Sequence, residues 1–510
     1  MSTAENRSSH SDVAVIDVGS NSVRLVLYRL DGRAIWSIFN EKMLAGLGRD
    51  LKATGRLSPD GVAGTLVALK RFRALIDASR PERVFAAATA AVREAGDGEA
   101  FRQRVERETG FQLRVLSGEE EARFAALGVL SGAPDSKGVV GDLGGASLEL
   151  IRLGADGPAG GVTLPLGPFA MSGPRGFDAS AVRAAANQHI GPVERAFRTD
   201  TLHAVGGAWR NLAMLHMRMS DYPLPIVHQY EISRREILEA TRFISQQSRG
   251  SLERVEGISR RRVEALPHAA IVLETLVERL DIQRVVLSAY GLREGLVWQA
   301  MDDKVRRQDP LVAGCAALGN RTATAEALGQ AVEIWAAPAF AKLDPVFGAR
   351  DRALLNAACR LAELGAPFHP DHRAMLVFQM VLRAPFAGID HAERAFLARV
   401  AFGRQTSADQ SPEPGLIARL LSPEQRQRAR VLGAAIRLGC DLSGRSPDLL
   451  ARTKLDIKPG EVVLTAEEAW GPVLLGDQTA KRGQTLAKML GRELRLRNVT
   501  LKPKFLASAF

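Results

Sequence analysis

The chain has 510 residues, which at the usual one to two hundred per domain predicts about three to five domains and excludes a mini-protein. Hydrophobic residues are 46% and charged residues 25%, globular proportions that exclude wholesale disorder, a collagen-like repeat and a membrane bundle. Lys and Arg outnumber Asp and Glu by 68 to 57, a net charge of +11 that points to an anionic partner, while 5% aromatics is too thin for a base-stacking surface, so nucleic acid is not expected.

Residues 1–12 are rich in Ser and charge, lack the apolar core of a signal peptide and are expected to be flexible. No later stretch approaches the roughly eighteen apolar residues that span a bilayer, so a cytoplasmic protein without an integral membrane segment is expected. Residues 15–26 (VIDVGSNSVRLV) then read as a strand, a tight Gly/Ser turn and a second, alternating strand, with Asp17 at the mouth of the hairpin. Residues 58–79 predict a helix, with Ser58 as N-cap and Pro59 in its first turn. A strand over 84–88, a helix over 99–109 and a strand over 112–116 follow, which is an α/β pattern.

Residues 119–129 predict a helix that opens with three carboxylates, Glu119, Glu120 and Glu121. Acids at a helix N-terminus complement its dipole, and Ser117 with Glu120 makes a capping box. Successive helical positions turn by about 100°, so the three cannot share one role. One that points inward is placed to act as a general base for water.

The first hairpin recurs at 140–151 (VGDLGGASLELI) with a constant offset of 125, so that Asp17 falls on Asp142, Gly19 on Gly144, Ser22 on Ser147 and Leu25 on Leu150. Turn chemistry explains either copy alone. Two copies at matched positions argue for two similar domains facing across a cleft, each offering backbone N–H groups to a phosphate and a carboxylate to its metal. Arg24 corresponds to Glu149, so the two copies have diverged toward different tasks.

Six motifs in this order, DVGSNS (17–22), ATAAVREA (88–95), LSGEEEARF (116–124), GDLGGAS (141–147), AVGGAWR (204–210) and GLREG (291–295), carry a resemblance to the Ppx/GppA phosphatases, and within them to the exopolyphosphatases. The resemblance covers roughly residues 13–300. It implies an α/β fold with two actin-like, ribonuclease H-like domains flanking a cleft, here 13–135 and 136–305. It also implies magnesium-assisted, processive hydrolysis of the terminal phosphoanhydride of inorganic polyphosphate, or the equivalent reaction on guanosine pentaphosphate.

Carried over by motif, Glu121 is the implied catalytic base and Arg93 the arginine that touches the reacting phosphate. Ser20, Asn21 and Ser22 of the first turn, Gly144, Gly145 and Ser147 of the second, and Gly206 and Gly207 of the third motif would hold phosphate oxygens. Asp17, Asp142 and Glu149 are the implied carboxylates for magnesium or for orienting water. Ala146, Leu148 and Ala208 depart from the family pattern, and Ala146 fits its turn only with a negative φ or where the phosphate keeps its distance. Trp209 and Arg210 read equally well as packing residues.

From about 310 the chain becomes rich in Ala, Leu and Arg at helical spacing, as over 350–364 and 390–401. In longer relatives this region resembles an HD-type phosphohydrolase. Here LAELG (361–365) puts Ala362 and Glu363 where the His-Asp pair would stand, so 310–452 reads as a helical HD-like domain lacking that pair, with His369, His372 and His391 as satisfied surface histidines. Cys315, Cys359 and Cys440 form neither a disulfide framework nor a metal knuckle, which suits a reducing cytosol.

Residues 453–510 read as a basic α+β segment. Between Lys481 and Lys504 there are eight Lys or Arg against the single acid Glu493, a balance of +7. With Arg260, Arg261 and Arg262 this run is expected to dock a long polyanion, in a homodimer whose helical domains pack across a two-fold axis. An actin-like kinase and a non-catalytic sensor of polyphosphate or guanosine pentaphosphate are the competing classes. Phosphate release without an acceptor separates hydrolysis from the first, and binding without turnover identifies the second.

Overall fold

The computed structural model describes residues 10–171, 177–247, 249–253, 263, 265–320 and 322–499. The chain divides into two compact units, Met1–Arg307 and Gln308–Phe510. Arg260, Arg261, Arg262, Lys502 and Lys504, expected in the docking surface, lie outside the described residues.

The first unit contains two sheets of the same plan. Strands β1 (His10–Val18), β2 (Ser22–Asp31), β3 (Ala34–Leu44), β4 (Arg83–Ala88) and β5 (Arg114–Val115) form a sheet in the order β3-β2-β1-β4-β5. β1 pairs antiparallel with β2 and parallel with β4. Strands β6 (Gly138–Leu143), β7 (Leu148–Gly154), β8 (Gly157–Leu164), β9 (Thr201–Val205), β10 (Glu231–Ser233) and β11 (Arg284–Leu287) repeat it in the order β10-β11-β9-β6-β7-β8, with β6 antiparallel to β7 and parallel to β9. Both sheets share the order 3-2-1-4 followed by a parallel fifth strand, β5 in the first and β11 in the second, where β10 adds an antiparallel edge; this is the actin-like, ribonuclease H-like fold. The registers match to the residue, since Asp17 sits opposite Arg24 and Asp142 opposite Glu149. β1 starts at His10, so residues 10–12, expected to be flexible, are paired in the sheet, and Asp12 binds Arg29 at 2.9 Å.

β1 and β4 form a near-continuous apolar run because both faces of their sheet are covered. On one face helices α1 (Pro59–Ser79), α2 (Ala90–Glu94) and α3 (Gly98–Thr109) enclose Ile16, Leu25, Leu69, Phe72 and Phe101. The expected strand over 112–116 shrinks to Arg114–Val115, because at this edge only those residues find partners, Ala87 and Ala88 on β4.

Helix α4 (Gly118–Gly132) has two apolar faces and touches both sheets. Phe124 and Leu127 pack with Val13, Val15 and Leu296, whereas Ala122, Ala125, Ala126 and Val129 pack on Val140, Ile151 and Val205. Small residues on the second face let the helix approach that sheet closely. Helix α9 (Leu292–Gln299) crosses α4 in backbone contact, since a Cβ on Gly295 would lie 1.9 Å from the Phe124 carbonyl oxygen and one on Gly128 2.0 Å from that of Gly291. Gly295 of the GLREG stretch and Gly128 of α4 therefore serve a helix crossing. The far face of the second sheet is covered by α5 (Ala179–Ile190), α6 (Gly207–Met219), α7 (Arg234–Gln246) and α8 (Leu266–Arg279).

The second unit is helical, then closes on a small sheet. Its main helices are α10 (Pro310–Gly319), α11 (Ala323–Phe340), α12 (Asp351–Arg360), α13 (Pro370–Arg383), α14 (His391–Gln405) and α15 (Pro423–Leu442). Strands β12 (Thr453–Lys458), β13 (Glu461–Glu467) and β14 (Glu493–Val499) pair in that order, with α16 (Asp477–Met489) between the last two in sequence.

The helix expected to reach residue 364 ends at Arg360. Leu361, Ala362 and Leu364 remain buried in the turns that follow, so the apolar signal outlasts the helix. Glu363 is ion-paired with Arg404 at 3.3 Å and with Arg445 at 3.4 Å. His369 caps α13 and His372 is exposed, as expected for surface histidines, but His391 is buried, because it opens α14 against the core. The three cysteines are free and buried. No helix among the described residues is long and apolar enough to cross a membrane.

Candidate functional site

Two turns of the same build face each other. In the first, the Gly19 N–H donates to the Ser22 carbonyl at 3.0 Å; in the second, the Gly144 N–H donates to the Ser147 carbonyl at 2.9 Å. They come close enough that a Cβ on Gly145 would sit 3.4 Å from the Cβ atoms of Ser20 and Asn21. Ala146 is not among the positive-φ residues, so its methyl group adds no backbone strain.

Between the turns opens a cleft of about 1460 Å³ including its mouth, at the carboxyl ends of β1, β4, β6 and β9. Crevices at this end of α/β sheets are where ligands bind. Asp17, Ser20, Asn21, Ser22, Glu121, Asp142, Gly144, Gly145, Ser147, Glu149, Gly206 and Gly207 all line it. Gly206 has φ +110°, and a Cβ there would meet the Leu143 carbonyl oxygen at 2.5 Å, so this position requires glycine. Gly207 opens α6 with no heavy atom within 4 Å of where a Cβ would stand, which leaves its backbone open to an anion.

Arg93 stands directly beside the expected base. It does not line the cleft; its Nη1 donates to the Leu116 carbonyl at 2.8 Å and to Glu121 Oε2 at 3.1 Å. Its guanidinium holds the expected base because α2 brings it to the start of α4. Glu120 forms the capping box with Ser117 that the sequence predicts, which leaves Glu121, one position on, to turn inward and be buried.

Burial drives the carboxylates of the second hairpin and α4 toward the neutral form. Burial, reinforced by Asp142 and Asp17, lifts Glu121 to about 7 although Arg93 opposes it. Burial and then Asp17 lift Asp142 to about 6. Burial, with Glu121 and Asp142 beside it, pushes Glu149 well above the usual carboxylate range, and its Oε1 is buried with no hydrogen-bond partner.

The same cleft is also rich in cations. Arg24, Lys42, Arg210 and Arg293 line the same cleft. Burial and the nearby charges of Arg293 and Arg210 lower Arg24 to about 10, and its Nε donates to Asn40 Oδ1 at 2.8 Å. Burial works against the charge on Arg293, but Glu294 and Asp17 outweigh it and hold the guanidinium charged. Its Nη1 donates to Asp17 Oδ2 at 3.1 Å. Glu294 is itself fixed, accepting from the Tyr28 hydroxyl at 2.5 Å and from the Gly291 N–H at 2.9 Å.

Sequence reasoning did not assign Lys42, Thr89 or Arg293 to the site, although GLREG contains Arg293. Trp209 is a core residue whose Nε1–H donates to the Ala269 carbonyl at 3.0 Å, whereas Arg210 faces the cleft.

Among the described residues no three His, Cys, Asp or Glu side chains are arranged to hold a metal by themselves, and Asp17, expected as a third ligand, is ion-paired with Arg293. Asp142 and Glu149 still fit a hard divalent cation. Glu149 is buried and Asp142 half-buried, the two acids repel one another, and Glu149 Oε1 is orphaned, so a cation would relieve a real cost. Magnesium commonly takes one or two carboxylates and completes its shell with water and substrate phosphate oxygens.

The sequence model of the Ppx/GppA phosphatase family matches residues 26–304, more than half of the chain. The chain belongs to the Ppx/GppA family. A second family model, described as the C-terminal region of exopolyphosphatase, matches residues 323–497. Among characterised relatives, Exopolyphosphatase 1 of Mycobacterium bovis is 27% identical over 306 residues, 57% of this chain and 89% of that protein. Exopolyphosphatase 1 of Mycobacterium leprae is also 27% identical, over 57% of this chain and 90% of that protein. The crystal structure of the Aquifex aeolicus Ppx/GppA family member aligns with a TM-score of 0.50 at 27% identity, covering 56% of this chain and 96% of that one. An exopolyphosphatase from Cytophaga hutchinsonii shares the fold, with a TM-score of 0.52 at 20% identity over 56% of this chain and 97% of that one.

Proposed function

We propose that the chain is an exopolyphosphatase that removes the terminal phosphate of inorganic polyphosphate by in-line attack of water. One observation carries the reading: a buried carboxylate, Glu121, lifted to about 7 in a cleft that four cationic side chains also line. A carboxyl group titrating near the working pH is suited to take a proton from water. Arg93 positions Glu121 through its 3.1 Å contact and need not touch the substrate.

Backbone N–H groups of the facing turns, with Ser20 and Ser147, hold the oxygens of the terminal phosphate. Arg24, Arg210 and Arg293 offset the charge on the chain that follows it. Asp142 and Glu149 are the residues that would hold magnesium, which supplies charge neutralisation at the phosphate when bound. The mycobacterial relatives named above are exopolyphosphatases, which supports this substrate over a nucleotide. Among the described residues no aromatic side chain lines the cleft to stack a base.

The test is phosphate release from long polyphosphate and from guanosine pentaphosphate, wild type beside Glu121→Gln. Release from polyphosphate without an added acceptor, lost in the variant, supports the reading. Release from guanosine pentaphosphate alone moves the assignment to that substrate, and binding without release moves it to a sensor.

A further inference from the structure

Helix α9 carries two consecutive charged residues, Arg293 and Glu294, which compete for the same neighbourhood. Arg293 lines the cleft, where its Nη1 donates to Asp17 Oδ2 at 3.1 Å. That is its single ion pair among the described residues, and its Nε is buried without a hydrogen-bond partner. A guanidinium with one firm contact is placed largely by the charges around it. Burial opposes the charge on Arg293, and Glu294, then Asp17 and Tyr28, outweigh burial. Glu294 thus exerts the larger pull, although Asp17 is the carboxylate that Arg293 touches.

Glu294 is kept from its neighbour because both of its oxygens are taken. Oε2 accepts from the Gly291 N–H at 2.9 Å, the ordinary duty of an acid at the third position of a helix. Oε1 accepts from the Tyr28 hydroxyl at 2.5 Å. Capping accounts for the first contact and leaves the second unexplained. The second reaches 266 residues back to β2, where Tyr28 is 3% exposed and packs with Val13, Val15, Phe124 and Leu296. Phenylalanine would fill that apolar place as well, without bringing a hydroxyl that must find a partner. The hydroxyl acts at Glu294.

We infer that Tyr28 is a positioning residue for substrate binding: its hydroxyl pins Glu294 away from Arg293, which keeps the guanidinium on Asp17 and open to phosphates entering the cleft. This role rests on the reading of the cleft as a polyphosphatase site. Without the hydroxyl, Glu294 Oε1 is left unbonded in a buried place, and the adjoining guanidinium satisfies it. Arg293 then turns from Asp17 and from the cleft.

The test is steady-state phosphate release from sodium tripolyphosphate by the full chain. Tyr28→Phe should raise KM about fivefold and change kcat less than about twofold. Adding Glu294→Gln to Tyr28→Phe removes the rival charge and should bring KM back toward wild type. A residue that acts through another has no effect once that other is gone, so in an Arg293→Ala background Tyr28→Phe should leave KM where Arg293→Ala alone puts it. A purely structural role for Tyr28 lowers the melting temperature and moves none of these KM values.

Should Tyr28→Phe fail to fold, Glu294→Asp takes its place, because it draws the carboxylate back from the hydroxyl and keeps its charge. The same rise in KM is expected, and again none in the Arg293→Ala background. With either variant, an unchanged KM, or a rise that persists without Arg293, overturns the role of Tyr28 alone, as does a Tyr28→Phe chain that Glu294→Gln does not restore. Wild type that releases no phosphate overturns the reading of the cleft, and this role with it.

Discussion

The two hairpins share a strand order, a register and a turn, yet they form opposite walls of one cleft. Opposite its aspartate the first carries Arg24, joined by Lys42 and Arg293; the second carries Glu149, joined by Glu121 from α4. A single change of sign at one register position separates a wall that attracts an anion from a wall that can hold a cation and take a proton.

The largest effect should come from breaking the anionic wall at its base. Glu121→Gln keeps the shape of the side chain and removes its capacity to accept a proton, so kcat should fall by at least about a hundredfold while the circular dichroism spectrum stays as in the wild type. Unchanged turnover would sink the role given to Glu121. On the cationic wall, Arg24→Ala should act through binding. Loss of one charge-assisted contact, about 1.5 kcal/mol or more, raises KM for polyphosphate about tenfold or more, with kcat changed far less. A fall in kcat at constant KM would mean that the two walls do not divide binding from chemistry in this way.

A subtler contrast concerns pH. Glu121 must be ionised to act as a base, so kcat/KM should rise with pH through a limb near the value of about 7 to which burial lifts it. Arg93 opposes that lift. Arg93→Ala should therefore move the limb to higher pH, and Arg93→Lys should move it less. A limb that stays in place would leave Arg93 as a structural anchor for Leu116 alone.

The hairpins and their aspartates were legible because turn residues and strand alternation are local signals, and a constant offset of 125 made two weak signals one strong one. The inward glutamate was legible from capping chemistry, which used Glu120 and left Glu121. Arg293 was not, because its partner Asp17 is 276 residues away and only the crossing of α9 over α4 brings them together. The two-faced burial of α4 was equally hidden, since apolar residues all round a helix do not say which sheet each face meets. At Arg360 the apolar periodicity ran on into buried turns, and at His391 a helix start expected at the surface lay against the core. The eight basic residues from Lys481 to Lys504 looked like one surface, but Arg482 is paired with Asp441, and Arg495 and Arg497 with Glu461.

The smallest expected effect is on stability, and it tests the anionic wall without any substrate. Glu149 and Asp142 have folded-state values raised above those of an unfolded chain, about 4. Below that pH both forms are protonated and the folded chain bears no penalty. As pH rises through it the unfolded chain ionises first, so stability falls until the folded groups ionise too, which for Asp142 is near 6. Glu149→Gln keeps the shape of the side chain and removes one of these acids, so the first unit should melt higher than wild type at pH 8 by about 2–4 °C, for about 1 kcal/mol, and no higher at pH 4. Magnesium should raise the wild-type melting temperature at pH 8 and raise that of the variant less. If Glu149→Gln instead melts lower at both pH values, Glu149 is a structural residue and the contrast in charge between the hairpins loses its second half.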